Sequence, residues 1–119
     1  MKQVAKEAAN NEVLGALDSV LQERRTASGD SSYVASLYEK GLNKILEKVG
    51  EEAAEVIIAA KDCKGAEGQD ALLGEVADLW FHTMVLLAQQ NLSSADVLVI
   101  LEERFGLSGH IEKATRTRS

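Results

Sequence analysis

The 119-residue chain contains no proline. Proline breaks helix interiors but is common in the turns of all-β domains, so a helical chain loses nothing by lacking it. Aromatic residues are only 4% of the total, and Cys63 is the single cysteine. One thiol excludes an internal disulfide framework and a cysteine-rich zinc site, and reads as a lone thiol in a reducing compartment. Positive charge is also scarce, with 13 Lys and Arg against 19 Asp and Glu and a net charge of −6. Binding a nucleic acid polymer by counterion release needs a basic surface, so that partner is not expected. The N-terminal MKQVAKEAANNEVLGALDSV has no apolar core of a signal peptide. No uninterrupted apolar run approaches the roughly 20 residues that cross a bilayer. A cytoplasmic protein with no membrane partner is the expectation.

What the chain does have is helical periodicity. With 45% hydrophobic residues it can bury a core, and nothing in composition divides it, so 1–119 reads as one domain. Residues 1–9 and 107–119 are expected to be flexible. Asn10–Ala27 reads as a first helix, with Val13, Leu14, Leu17, Val20 and Leu21 on one side. Ser31 or Ser32 caps a short helix that stops near Gly41. From Leu42 to about Asp62 a third helix carries Ile45, Leu46, Val49, Ala53, Val56, Ile57 and Ala60 as one stripe. Glu67–Gln90 is a second long helix with Trp80 on its main stripe, which makes Trp80 a core candidate. Leu79, Phe81, Val85 and Leu86 lie on its other sides, and a helix apolar nearly all round must be buried all round. A chain this small can hardly surround one, so a homodimer is expected. Ser93 or Ser94 caps a last helix through Phe105. The fold class is therefore all-α: a helical bundle built on two long antiparallel helices and completed by dimerisation.

Each long helix bears carboxylates at i, i+3: Glu52 and Glu55 on the first, Glu75 and Asp78 on the second. A short connection makes such helices antiparallel neighbours, so the four can meet across the groove. Four carboxylates face to face need protons or a cation between them. Oxygen ligands without histidine or thiolate select magnesium, with manganese as a substitute. Against this stands the ordinary reading of acidic helix faces as solvated surface, which suits Glu47 and Glu51. Lys44 and Lys48 fall at i, i+4 on the side of Glu52 and Glu55, with Lys40 one step earlier. Lysines beside a magnesium cluster are what a phosphoanhydride requires, although simple pairing with Glu47, Glu51 and Glu52 accounts for them equally. His82, one turn after Asp78, reads first as a buried hydrogen-bonded histidine and second as a substrate contact. Tyr33 and Tyr38 either pack or touch a base.

Glu51-Glu-Ala-Ala-Glu55 followed some twenty residues later by Glu75-Val-Ala-Asp78 resembles the signature of the all-α nucleoside triphosphate pyrophosphatases. The longer strings are more specific. Ser32-Tyr-Val-Ala-Ser-Leu37, Gly41-Leu-Asn-Lys44-Ile, Lys48-Val-Gly-Glu-Glu-Ala-Ala-Glu55-Val-Ile-Ile-Ala-Ala-Lys61, Glu75-Val-Ala-Asp-Leu-Trp-Phe-His82 and Arg104-Phe-Gly-Leu-Ser-Gly109 with Glu112-Lys113 resemble the phosphoribosyl-ATP pyrophosphatase family. The resemblance covers about Ser31 to Lys113. It implies a magnesium-dependent hydrolysis of phosphoribosyl-ATP to phosphoribosyl-AMP and pyrophosphate in histidine biosynthesis, by a dimeric helical bundle. It implies Glu52, Glu55, Glu75 and Asp78 as metal ligands and Glu51 as a further ligand or the base. Lys40, Lys44, Lys48 and Lys61 would hold the phosphates of a nucleotide substrate. Two alternatives remain at this point: a house-cleaning pyrophosphatase acting on free nucleoside triphosphates, and a non-catalytic helical dimerisation module. The second leaves the carboxylates and lysines without a role.

Overall fold

The computed structural model describes residues 2–106, with side chains from residue 12 onward. All five elements there are helices: α1 (Lys2–Arg24), α2 (Tyr33–Lys40), α3 (Leu42–Lys61), α4 (Gly65–Gln89) and α5 (Ser94–Phe105). The expected all-α class holds. The tail 107–119, and with it Gly109, Glu112 and Lys113 of the family-like strings, lies outside the described residues.

Helix α1 starts eight residues before the expected Asn10 and stops three before Ala27. Its apolar spacing begins only at Val13, but the preceding Lys, Glu, Gln and Ala residues are strong helix formers with no glycine or proline among them, so the helix runs on. At α2, Ser32 takes an extended backbone and its hydroxyl accepts from the Ala35 N–H at 3.0 Å, which satisfies one orphan donor of the first turn. Gly41 then ends α2 and opens α3 with φ of 98°, a conformation that L side chains avoid. This break corrects the helical step assumed for Lys40. That lysine belongs to α2, so it does not continue the Lys44 and Lys48 row on α3.

Helices α3 and α4 pack along each other more extensively than any other pair, joined by the three residues Asp62–Lys64. So short a link makes them antiparallel. The turn is tight. A side chain at Gly68 would come within 3.1 Å of the Cys63 backbone, which is why this first-turn position is glycine.

The core sits at the other end of this hairpin. Leu21 of α1, Val34 and Leu37 of α2, Ile45 of α3 and Met84, Val85 and Ala88 of α4 form one buried cluster, with Leu14, Leu17, Tyr38, Phe81 and Leu86 against it. Helix α5 is tied on by polar contacts. Asp18 of α1 accepts from the Ser94 N–H at 3.0 Å and from its hydroxyl at 2.5 Å, which caps the α5 first turn across helices. Asp96 accepts in turn from the Ser93 N–H at 2.9 Å.

Much apolar surface stays uncovered. Trp80, expected in the core, is 59% exposed, and Leu73, Ile57 and Ile58 are exposed as well. Trp80, Leu79, Met84 and Leu87 of α4 line a groove of about 410 Å³ with Leu98 and Leu101 of α5. Helix α5 reaches too little of α4 to cover that face. The radius of gyration, 17.2 Å, exceeds the roughly 13 Å of a compact 100-residue domain. Helix α4 has the length and composition of a membrane span. Glu75 and Asp78 interrupt it mid-helix and face the carboxylates of α3.

Candidate active site

Halfway along the hairpin, α3 and α4 bring their carboxylates together. Oxygens of Glu52, Glu75 and Asp78 lie within 4.8 Å of one another. Glu55, one turn beyond Glu52, faces Glu75 closely enough to raise its carboxyl. The antiparallel packing thus sets Glu52 against Asp78 and Glu55 against Glu75.

Burial is uneven and informative. Glu52 is only 7% exposed, because it sits on the apolar stripe of α3 and faces α4. Burial, followed by the neighbouring Glu55 and Asp78 carboxylates, raises its carboxyl above the usual range, against the smaller pull of His82 and Lys48. Glu75 is raised too, first by its hydrogen bond with Glu55, then by burial and by the charges of Glu55, Asp78 and Glu52. One oxygen of Glu52 and one of Glu75 are buried without any hydrogen-bond partner. A buried carboxylate oxygen left unpaired costs free energy, and two in one cluster call for a shared cation or shared protons. The donor set is all oxygen, which fits a hard divalent cation.

The lysines divide into two groups. Lys48 reaches Glu51 at 3.1 Å and Glu52 at 4.0 Å, so it stands at the rim of the cluster. Its ammonium is held above the ordinary value, first by the hydrogen bond to Glu51 and then by the Tyr33 phenol. Lys44 pairs with Glu47 at 3.6 Å, about two turns before Glu52 on α3. Lys40 and Lys61 stand exposed at the ends of α2 and α3, and among the described residues neither makes an ion pair. Glu51 is exposed and bound to Lys48, outside the three-carboxylate group.

Residue spacing did not reveal what adjoins the cluster from α2. The Tyr33 hydroxyl lies 2.9 Å from Nε2 of His82, and Nδ1 of His82 lies 2.8 Å from the Asp78 carbonyl oxygen. His82 is 5% exposed, in keeping with its reading as a buried hydrogen-bonded histidine. Its partner across 49 residues has no local sequence signal, since it follows from how α2 packs on α4.

Two comparisons bear on this geometry. The family model described as phosphoribosyl-ATP pyrophosphohydrolase matches residues 14–105. The chain belongs to that family. It is also 57% identical over 110 residues to a phosphoribosyl-ATP pyrophosphatase of Hydrogenovibrio crunogenus, covering 92% of this chain and 97% of the relative. The matched span runs from the middle of α1 to the end of α5, so every carboxylate and lysine of this site is a position within the phosphoribosyl-ATP pyrophosphohydrolase domain.

Proposed function

We propose that the protein hydrolyses phosphoribosyl-ATP to phosphoribosyl-AMP and pyrophosphate, the second step of histidine biosynthesis, as a soluble cytoplasmic enzyme. The observation that carries the reading is the cluster of Glu52, Glu75 and Asp78 with its two unpartnered buried oxygens, in a chain of this family. Glu52, Glu55, Glu75 and Asp78 would hold magnesium, or manganese in its place. Bound there, the cation supplies charge neutralisation for the phosphates and orientation for a water. Lys48 at the rim of the cluster meets the remaining phosphate charge, with Lys44 a turn earlier and Lys40 and Lys61 further out. Glu51, next to Glu52, takes the proton from the attacking water. The water oxygen bonds to the α-phosphorus, the anhydride bond to the β-phosphate breaks, and its electron pair leaves with pyrophosphate.

The test is pyrophosphate release, measured with magnesium on phosphoribosyl-ATP and on deoxynucleoside triphosphates. Turnover of phosphoribosyl-ATP is expected. Hydrolysis of the free triphosphates alone would overturn the reading in favour of a house-cleaning enzyme.

The working form we propose is a homodimer. The exposed Trp80, Leu98 and Leu101 around an apolar groove support it, since a soluble monomer rarely leaves so much contiguous apolar surface uncovered. Trp80→Lys is expected to shift the sedimentation of the protein from dimer to monomer. A wild-type protein that sediments as a monomer at micromolar concentration would sink the proposal.

A further inference from the structure

The hydrogen bonds of His82 fix more than its own position. A carbonyl oxygen only accepts, so in the neutral ring the hydrogen shared with Asp78 O at 2.8 Å is carried by Nδ1. Nε2 then keeps its lone pair. At 2.9 Å from Nε2, Tyr33 must therefore spend its single O–H hydrogen as the donor. Packing holds the pair in this arrangement. The His82 ring stands edge-on to Tyr33 at 5.8 Å and to Phe81 at 5.0 Å, while Tyr33 stacks on Phe81 at 6.4 Å.

The phenolic oxygen of Tyr33 is thus left with acceptor capacity alone, on a residue that is 51% exposed. It lies beside the acidic cluster, because its histidine partner is bonded to the backbone of Asp78. Phosphate oxygens are themselves acceptors and gain nothing from such a group. Sugar hydroxyls are the donors next to the phosphates of a nucleotide.

We propose that Tyr33 contacts the substrate by accepting a hydrogen bond from a ribose hydroxyl, and that His82 is the positioning residue that commits the Tyr33 hydroxyl to this role. The proposal rests on the hydrolase reading above and assigns a specificity element to the same site. His82 does no proton transfer in it. Its work is to consume the one hydrogen of Tyr33 and to tie that phenol to the turn that carries Asp78.

The test compares kcat and KM for phosphoribosyl-ATP in the wild type, Tyr33→Phe, His82→Asn, His82→Gln and the Tyr33→Phe, His82→Asn double variant. Asparagine keeps an N–H for the Asp78 carbonyl but does not reach Tyr33, whereas the glutamine oxygen reaches Tyr33 as an acceptor. Losing one such hydrogen bond is expected to raise KM about tenfold, with kcat changed less than about twofold. The same loss is expected in Tyr33→Phe, in His82→Asn and in the double variant, with recovery in His82→Gln. ATP, 2′-deoxy-ATP and 3′-deoxy-ATP as competitive inhibitors supply a second measurement. The wild type should favour ATP over at least one deoxy form, and Tyr33→Phe should lose that preference. Nitrogen-15 spectra at pH 8 should show the His82 hydrogen on Nδ1. Should His82→Asn fail to fold, the half-exposed Tyr33→Phe and the inhibitor series still decide. Unchanged KM and inhibitor selectivity in Tyr33→Phe, beside an active wild type, would overturn this inference alone. A wild type inactive on phosphoribosyl-ATP would overturn the hydrolase reading beneath it.

Discussion

The two ends of the α3–α4 hairpin are made of the same residue types and meet different fates. At one end Ile45 and Val85 are fully buried under α1 and α2. At the other, beside the turn, Ile57, Ile58 and Leu73 are exposed. The carboxylates lie between the two, where Glu52 is buried and Glu55 is not. The difference shows that the chain supplies enough helices to enclose only half of the hairpin. A site placed at the boundary has rigid backing from the enclosed half and open access from the other.

The largest effect is expected where the comparison turns into chemistry. Asp78→Asn or Glu52→Gln keeps shape and removes a ligand charge, so kcat/KM should fall about 10³-fold, roughly 4 kcal/mol of transition-state stabilisation. The circular dichroism of the helices should be unchanged, since either amide relieves repulsion in the cluster. If activity survived both substitutions, the metal assignment would be wrong.

Next comes the contrast between the ends themselves. Leu37 is 1% exposed in the enclosed core, and Leu37→Ala should cost about 2–5 kcal/mol in denaturant unfolding. Leu73 is 66% exposed, and Leu73→Ala in a dilute monomer should stay within about 0.5 kcal/mol. Raising the protein concentration sharpens the comparison. If a second subunit covers the bare half, the Leu73 penalty should grow with concentration while that of Leu37 stays fixed.

How much of this was readable beforehand follows the same division. Glycine, serine caps and apolar spacing are local signals, and they located α2, α3, the α4–α5 turn and the paired carboxylates to within a residue or two. Spacing also paired Glu52 with Glu55 on one helix, and Glu52 is buried there. Trp80 is the instructive failure. Its place on the α4 stripe is real, but the stripe is wider than one subunit can cover, and a helical wheel does not say which part remains bare. The helical step to Lys40 fails for another reason, since counting in fours assumes a helix that Gly41 interrupts. The Tyr33–His82 bond was invisible because nothing local links α2 to α4.

A smaller effect is expected at the cap that places Tyr33. Ser32→Ala removes the hydroxyl that accepts from Ala35 N–H, and should lower stability by about 1 kcal/mol. Because Tyr33 follows directly, a rise in KM alongside that loss would tie the cap to the site, whereas a pure stability loss would confine it to the enclosed half.

The smallest effect is a drift of stability with pH, and its sign is unusual. Glu52 and Glu75 have folded-state pKa values raised above those of the unfolded chain, by burial at the first and by the Glu55 hydrogen bond at the second. Folding therefore takes up protons at these groups. Their favourable contribution is complete below the ordinary glutamate value of about 4.3 and is lost as pH rises through the raised values. With chelator present, the Tm should fall over that window, opposite to the trend of carboxylates held by cations. Glu52→Gln should flatten the fall, because an amide carries no charge to bury. Adding magnesium should flatten it as well, since a cation between the carboxylates does what the shared protons do at low pH. A metal-free Tm that rises across this range would show that the carboxylates are solvated and that the boundary between the two halves of the hairpin holds no cation.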